Sequence, residues 1–234
     1  MTQQKIAIVT AATKGMGAAC AREMAERGYR VALMARSDDV LAFARDLNGI
    51  GMVGSVTNSA DLARLVGETL RAYGRIDAVV NNTGHPPKGD LLAIPDDDWH
   101  AGLELLLLNV VRMARLCVPV MQSQGGGAFV NISTYAAVEP NLAFPVSSSL
   151  RAALANFTKL FADRYAKEGI RMNNVLPGYI ENYEIDETVR AKIPAGRQGH
   201  LTEIAHTVAF LLSDAAGYIT GQNIRVDGGL SRSP

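Results

Sequence analysis

The stretch Ile6-Ala7-Ile8-Val9-Thr10-Ala11-Ala12-Thr13-Lys14-Gly15-Met16-Gly17 decides how the rest of the chain reads. It opens on an unbroken apolar run, the pattern of a strand buried on both faces. Residues 18–27 follow with helical periodicity, and Gly28 stands at the C-terminal cap position. Gly15 and Gly17 therefore fall where a strand becomes a helix. Glycine there lets the backbone approach a pyrophosphate, while the helix N-terminus offers free N–H groups and a partial positive charge.

The same alternation continues outward from this stretch. Strands are predicted at 31–34, 52–53, 76–80, 128–132, 171–176 and 223–226, and helices at 38–47, 59–73, 96–124, 148–167 and 202–213. Ser59 and Thr202 read as helix N-caps. Ala205 stands three residues after Thr202, so a simple cap without a capping box is expected there. Apolar strands followed by helices imply an α/β fold with a parallel sheet covered on both faces. Right-handed crossovers make that sheet doubly wound. One domain over residues 1–234 is expected, since no repeat or linker divides the sequence. Such sheets bind ligands beyond the carboxyl ends of their strands.

Composition narrows the function. Hydrophobic residues make up 48% and charged residues 20%, which fits a folded globular chain. Lys+Arg and Asp+Glu both total 23, so no broad electrostatic footprint for nucleic acid or an anionic membrane is expected. The run Leu105-Leu106-Leu107-Leu108 is broken at once by Asn109, far short of a bilayer span. Met1-Thr2-Gln3-Gln4-Lys5 runs straight into the first strand, and no cleavable leader is expected. Cys20 and Cys117 are too isolated for a disulfide framework, and no Cys/His cluster has metal-site spacing. A reducing cytoplasm and a metal-free chain are the expectation.

Further motifs follow the strands. Asn81-Asn82-Thr83-Gly84 comes after the fourth, Ser133-Thr134 after the fifth and Pro177-Gly178-Tyr179-Ile180 after the sixth. Ile219-Thr220-Gly221-Gln222-Asn223 leads into the last, and Asp227-Gly228-Gly229 follows it. Together with the glycine turn, these motifs resemble the short-chain dehydrogenase/reductase family in its one-domain form, over essentially the whole chain. The turn resembles Thr-Gly-x-x-x-Gly-x-Gly with Ala11 at the first glycine, and Thr83 replaces the alanine of Asn-Asn-Ala-Gly. The resemblance implies a Rossmann-type sheet, a nicotinamide dinucleotide and hydride transfer to or from a small-molecule substrate. It also implies a cofactor surface built from Thr10, Ala12, Thr13, Lys14, Gly15, Met16, Gly17, Arg36, Ser37, Ser55, Val56, Asn82, Thr83, Gly84, Pro177, Gly178 and Ile180.

At the end of the second strand, where an acid would hold a ribose 2′-hydroxyl, the chain reads Ala35-Arg36-Ser37. With Lys14 in the glycine turn, two cations and no carboxylate suit a 2′-phosphate. NADP(H) is expected over NAD(H), with Asp38 and Asp39 nearby counting against it.

The reaction end departs from the family. Its centre combines an Asn, a Ser, a Tyr and a Lys, the last two four residues apart on one helix. Asn109 resembles the first, and Ser133-Thr134 the serine region, with Thr134 toward the substrate and Ser133 nearer the cofactor. At the Tyr and Lys positions the chain carries Ser147 and Arg151, and no shift of one residue restores the pair. A serine is a far weaker acid than a tyrosine beside Lys⁺, and Arg151 can hold the nicotinamide ribose but cannot relay a proton as Lys does. Ser147 and Arg151 therefore read as binding and electrostatic groups. Tyr135 is the first choice for a substitute acid, ahead of Tyr179, Tyr183 and His85. An iminium or an activated C=C bond would ask for less acid help.

The resemblance makes residues 179–200 a lid over the substrate. Asn182 stands near a carboxamide-contacting position. Apolar residues run around most of the long helix, and Leu154, Phe157, Leu160 and Phe161 add to them, so a homodimer or homotetramer is expected. Two other readings stay open: a dinucleotide-binding sensor or oligomer partner that lost catalysis, and a non-redox lyase or isomerase using Thr134 and Arg151.

Overall fold

The computed structural model describes residues 4–232. Seven strands form one parallel sheet: β1 (Ile6–Thr10), β2 (Arg30–Ala35), β3 (Ile50–Val53), β4 (Ala78–Asn81), β5 (Gly127–Ile132), β6 (Ile170–Pro177) and β7 (Asn223–Val226). Their order is β3-β2-β1-β4-β5-β6-β7. The winding reverses between β1 and β4, so the loops after these two strands diverge and leave a crevice at their carboxyl ends. The chain is a Rossmann-type single domain.

Successive strand residues point to opposite faces, and two cores result. Ala7 and Val9 pack with α1 (Gly15–Glu26), α2 (Asp39–Asp46) and α8 (Leu201–Leu212), whereas Ile8 packs against the other face. That second face holds α3 (Ser59–Tyr73), α5 (Asn109–Ser123) and α6 (Pro145–Tyr165). Cys20 and Cys117 lie one in each core as free thiols, and burial pushes both up to about 12. Neither is a nucleophile at neutral pH. Among the described residues, no helix is long and apolar enough to cross a membrane, and no group of His, Cys, Asp and Glu could hold a metal ion.

Several sequence expectations need correction. The predicted helix over 96–124 is α4 (Asp96–Leu103), a π-helical turn (Glu104–Leu108) and α5. The wider turn ends at Asn109, the one strongly polar residue in that apolar stretch, and such insertions gather at functional sites. The cap of α3 is Asn58, not Ser59: its Oδ1 accepts from the Ala60 and Asp61 N–H groups. Helix α8 starts at Leu201, one residue before the expected cap, and Glu203 reaches back to accept the His200 N–H at 2.7 Å. A reciprocal acid was therefore present, in another register. Helix α6 starts three residues earlier than expected because Pro145 suits the first helical turn. This puts Ser147 inside the helix.

The glycine turn shows why this segment tolerates little substitution. A Cβ on Gly17 would stand 2.3 Å from the Ala11 carbonyl oxygen and 2.5 Å from Asn82 Nδ2. Ala11 itself has φ 47°, a left-handed conformation that costs an L-residue about 1–2 kcal/mol. Ala11→Gly is expected to raise the unfolding free energy by about 0.5–1 kcal/mol, the relieved strain exceeding the added unfolded-state entropy. Urea denaturation tests this; a loss of stability would show that the alanine methyl contributes packing that outweighs its strain.

Candidate active site

Three strand tips and one helix end line an open cleft. The tip of β4 supplies Asn82, Thr83, Gly84 and the following His85 to Lys88 turn; β5 supplies Ser133, Thr134 and Tyr135. The tip of β6 supplies Pro177, Gly178, Tyr179 and Ile180, and the start of α6 supplies Ser147 and Arg151. Met16 closes the side toward the glycine turn.

Of the predicted site residues, Met16, Asn82, Thr83, Gly84, Ser133, Thr134, Tyr135, Ser147, Arg151, Pro177, Gly178 and Ile180 come together here. Thr13, Lys14 and Gly15 lie in the adjoining turn, and Arg36, Ser37 and Ser55 beyond the tips of β2 and β3. Thr10 has a structural task. It is 1% exposed, and its Oγ1 donates to the Asn82 carbonyl at 2.7 Å and accepts the Asn82 N–H at 3.0 Å. This bonding ties β1 to the β4 tip. Ala12 and Val56 likewise bury their side chains in the two cores. Asn109 does not line the cleft: its Nδ2 donates to the Leu105 carbonyl at 2.8 Å, and its Oδ1 is buried without a partner.

The two β5 hydroxyls differ. Thr134 Oγ1 accepts a long bond of 3.4 Å from the Ala136 N–H, capping a 3₁₀ turn. Ser133 Oγ is buried and unpartnered, as is Thr83 Oγ1. Native interiors rarely leave such atoms unmatched, and both belong to residues that line the cleft.

Arg151 is the chief electrostatic feature. It is 7% exposed, donates to the Ile132 carbonyl, and burial pushes its guanidinium down to about 10. It stays charged at neutral pH. Among the described residues, no carboxylate pairs with it. Burial, then Lys88 and Arg151, push the His85 imidazole below its usual value. These contacts disfavour the protonated imidazole, which makes His85 a poorer candidate acid.

Three phenols share the cleft. Tyr135 O–H donates to Tyr179 Oη at 3.3 Å and accepts from Asn141 Nδ2 at 3.2 Å. Burial, reinforced by the Tyr135 contact, makes Tyr179 a weaker acid than free tyrosine. Tyr183 Oη accepts from Lys88 Nζ at 3.3 Å, and that ammonium also lies 4.9 Å from the Phe144 ring centre. Phe144, Lys88 and Asn141 were not read from the sequence, because nothing in their spacing marks them.

The segment after Tyr179 is stitched to the body. Gln198 Nε2 donates to the Ile180 and Tyr183 carbonyls, and Glu181 accepts from the Leu201 N–H at 2.8 Å. Asn182 Nδ2 would stand 3.0 Å from a Cβ on Gly15, so this segment lies against the glycine turn.

A seven-stranded parallel order, a glycine turn after β1 and a cleft at the reversal point coincide with a match over residues 10–231 to the family described as enoyl-(acyl carrier protein) reductase. The chain belongs to the short-chain dehydrogenase/reductase family of oxidoreductases. It is 33% identical over 236 residues to 3-oxoacyl-(acyl-carrier-protein) reductase of Escherichia coli, covering 97% of each chain. It is 32% identical over 239 residues to the Thermotoga maritima protein of the same name, again covering 97% of each. The Staphylococcus aureus counterpart is 31% identical over 244 residues, covering 98% of this chain and 99% of its own. Within this short-chain dehydrogenase/reductase, the helix that begins at Pro145 carries Ser147 and Arg151 and no tyrosine before Tyr165.

Proposed function

We propose that the protein is an NADP(H)-dependent reductase acting on a small carbonyl compound or activated C=C bond, with Tyr135 as the proton donor. The observation that carries this reading is the pair of buried, unpartnered hydroxyls, Thr83 Oγ1 and Ser133 Oγ, on residues lining one cleft at the strand tips. The residues fit a dinucleotide. Gly17 permits the tight turn, a Cβ on Gly84 would meet nothing within 4 Å, and Lys14 and Arg36 are exposed. The glycine turn and the N-terminus of α1 would hold its pyrophosphate, and Asn82 to Gly84 with Pro177 to Ile180 its other half. When bound, the dinucleotide supplies the hydride.

This chain's own residues have three tasks. Arg151 keeps positive charge in a water-poor wall, where it counts for more than in solvent. Ser133 and Thr134 offer hydroxyls at the β5 tip. Tyr135 offers a phenol whose oxygen already accepts from Asn141, a donor that also serves the oxygen after the proton has left. A cationic iminium is the poorest fit, because Lys88 and Arg151 line the cleft and no Asp or Glu does. Supplying carbonyls, imines and enones in turn and following NADPH absorbance tests the reading. Oxidation with ketones or enones is expected; no oxidation with any class, despite tight NADPH binding, would favour a dinucleotide-binding sensor.

Arg36 is assigned the 2′-phosphate. It is exposed at the end of β2 with no ion pair among the described residues, while the neighbouring Asp39 is held by Ser37 Oγ at 2.7 Å. Arg36→Ala is expected to weaken NADPH binding by about tenfold or more and leave NADH unchanged, the loss expected for one charged hydrogen-bonding partner. Fluorescence titration with both cofactors checks this; equal losses for both would remove the assignment.

We also propose a homodimer or homotetramer joined through the π-helical turn before α5 and through α6. Leu105, Leu107 and Phe157 are only partly buried and Leu160 is 68% exposed, leaving apolar surface that a second copy would cover.

A further inference from the structure

Arg151 has more hydrogen-bonding capacity than the protein uses. A guanidinium carries five N–H donors, and the Ile132 carbonyl takes a bond from one of its terminal nitrogens. Its side chain is almost wholly enclosed, yet no carboxylate in the described residues compensates it. Burying a cation without a partner is costly, and folded proteins pair such charges. The residue next to Ile132 is Ser133, whose hydroxyl is buried and equally unpartnered. Arg151 thus holds the carbonyl of the residue before Ser133, and both residues line the cleft.

The rest of the lining points the same way. Lys88 is its second cation, Ser147 brings the positive end of α6, and no acidic residue contributes. The aromatic walls, Tyr135, Phe144, Tyr179 and Tyr183, would flank a flat molecule.

We infer that the substrate carries a carboxylate, bound by the fork of Arg151 and the hydroxyl of Ser133, beside the bond that is reduced. The substrate class is then a small oxo acid or an α,β-unsaturated acid. A carboxylate matches the planar, bidentate geometry of a guanidinium. The inference rests on the reading that the cleft is the reaction site, but carboxylate binding can be measured without turnover.

The experiment is calorimetric titration of the intact chain, with and without saturating NADP⁺, using cinnamate and the neutral, equally shaped cinnamamide. Cinnamate is expected to bind between about tenfold and about a hundredfold more tightly, the range for a charged hydrogen-bonded contact. Ser133→Ala is expected to narrow that preference several-fold, and Arg151→Gln to abolish it. NADPH affinity of each variant is read separately by fluorescence. Equal affinity for the two probes in the unmodified chain overturns the inference, whatever the variants do. A preference that survives Arg151→Gln overturns it too, since Lys88 would then hold the carboxylate. If Arg151→Gln weakens NADPH and leaves the preference intact, the guanidinium serves the cofactor and the inference falls. Should Arg151→Gln not fold, Arg151→Lys keeps the charge but not the fork, and an unreduced preference there counts against the inference. Failure of NADPH to bind any form, with the cinnamate preference present, would sink the proposed function and leave this site standing.

Discussion

Tyr135→Phe is expected to lower turnover by about a hundredfold to about ten-thousandfold, the usual contribution of a positioned acid, and to change NADPH affinity by less than about twofold. Helix α6 carries Ser147 and Arg151 and no tyrosine before Tyr165, so the phenols of the cleft come from other elements. Among the three phenols of the cleft, Tyr183 is engaged by Lys88, and Tyr179 is made less acidic by burial and by the Tyr135 contact. Tyr135 lies two residues beyond Ser133 on the β5 tip, is 8% exposed, and has Asn141 donating to its oxygen. Phenylalanine preserves the ring packing against Tyr179, whose ring centre is 5.8 Å away. The change is therefore confined to the hydroxyl. Tyr179→Phe should cost less than about tenfold, because removing that acceptor leaves the Tyr135 proton free for substrate. Steady-state turnover on any substrate found active, beside NADPH titrations, separates the outcomes. Unchanged turnover in Tyr135→Phe rejects the assignment, and a deeper loss in Tyr179→Phe would make Tyr179 the donor.

The second large effect is on stability. Asn81, Asn131, Asn174 and Asn223 stand in register on four adjacent strands, β4 to β7. Each amide donates to the next: Asn81 Nδ2 to Asn131 Oδ1, Asn131 Nδ2 to Asn174 Oδ1, and Asn174 Nδ2 to Asn223 Oδ1, all at 2.8 Å. Thr158 of α6 joins the middle, donating to Asn174 Oδ1 at 3.1 Å. The first three amides and Thr158 are buried, so the chain of bonds works in a low dielectric where an unmatched member is expensive. Asn131→Leu would leave the Asn81 donor unmatched and take one donor from Asn174. The expected loss is about 3–5 kcal/mol, combining unsatisfied groups with overpacking. That is a large part of the roughly 5–15 kcal/mol that holds a domain together. Asn223→Ala, at the exposed end where water can replace the acceptor lost to Asn174 Nδ2, should cost about 1 kcal/mol. Urea unfolding of the two variants provides the comparison; a loss below 1 kcal/mol for Asn131→Leu would show that the ladder is dispensable.

The ladder also helps orient the cleft. Asn81 precedes Asn82, which is clamped by Thr10, and Asn131 precedes Ile132, the acceptor for Arg151. The strand tips that carry the candidate site are thus held in relation to one another by side chains as well as by backbone pairing. In the sequence these asparagines look like separate interruptions of apolar strands, since four residues spread from 81 to 223 share no local period. Their meaning depends on strand order, which is a property of the folded sheet.

Local chemistry along the chain was enough to establish the alternation of strands and helices, the doubly wound parallel sheet and the glycine turn, because each is written in short-range periodicity and in glycines placed between a strand and a helix. It was also enough to show that residues 146–164 hold Ser147 and Arg151 but no tyrosine. Tertiary structure alone decided which hydroxyls are left without partners, that Thr10 ties β1 to the β4 tip, that three tyrosines from the β5 and β6 tips meet, and that Arg151 is enclosed without a counter-charge among the described residues. Those outcomes depend on contacts between segments up to 95 residues apart, as between Lys88 and Tyr183. Burial and pairing at that range are fixed by how the strand tips converge, and no nearest-neighbour pattern encodes it.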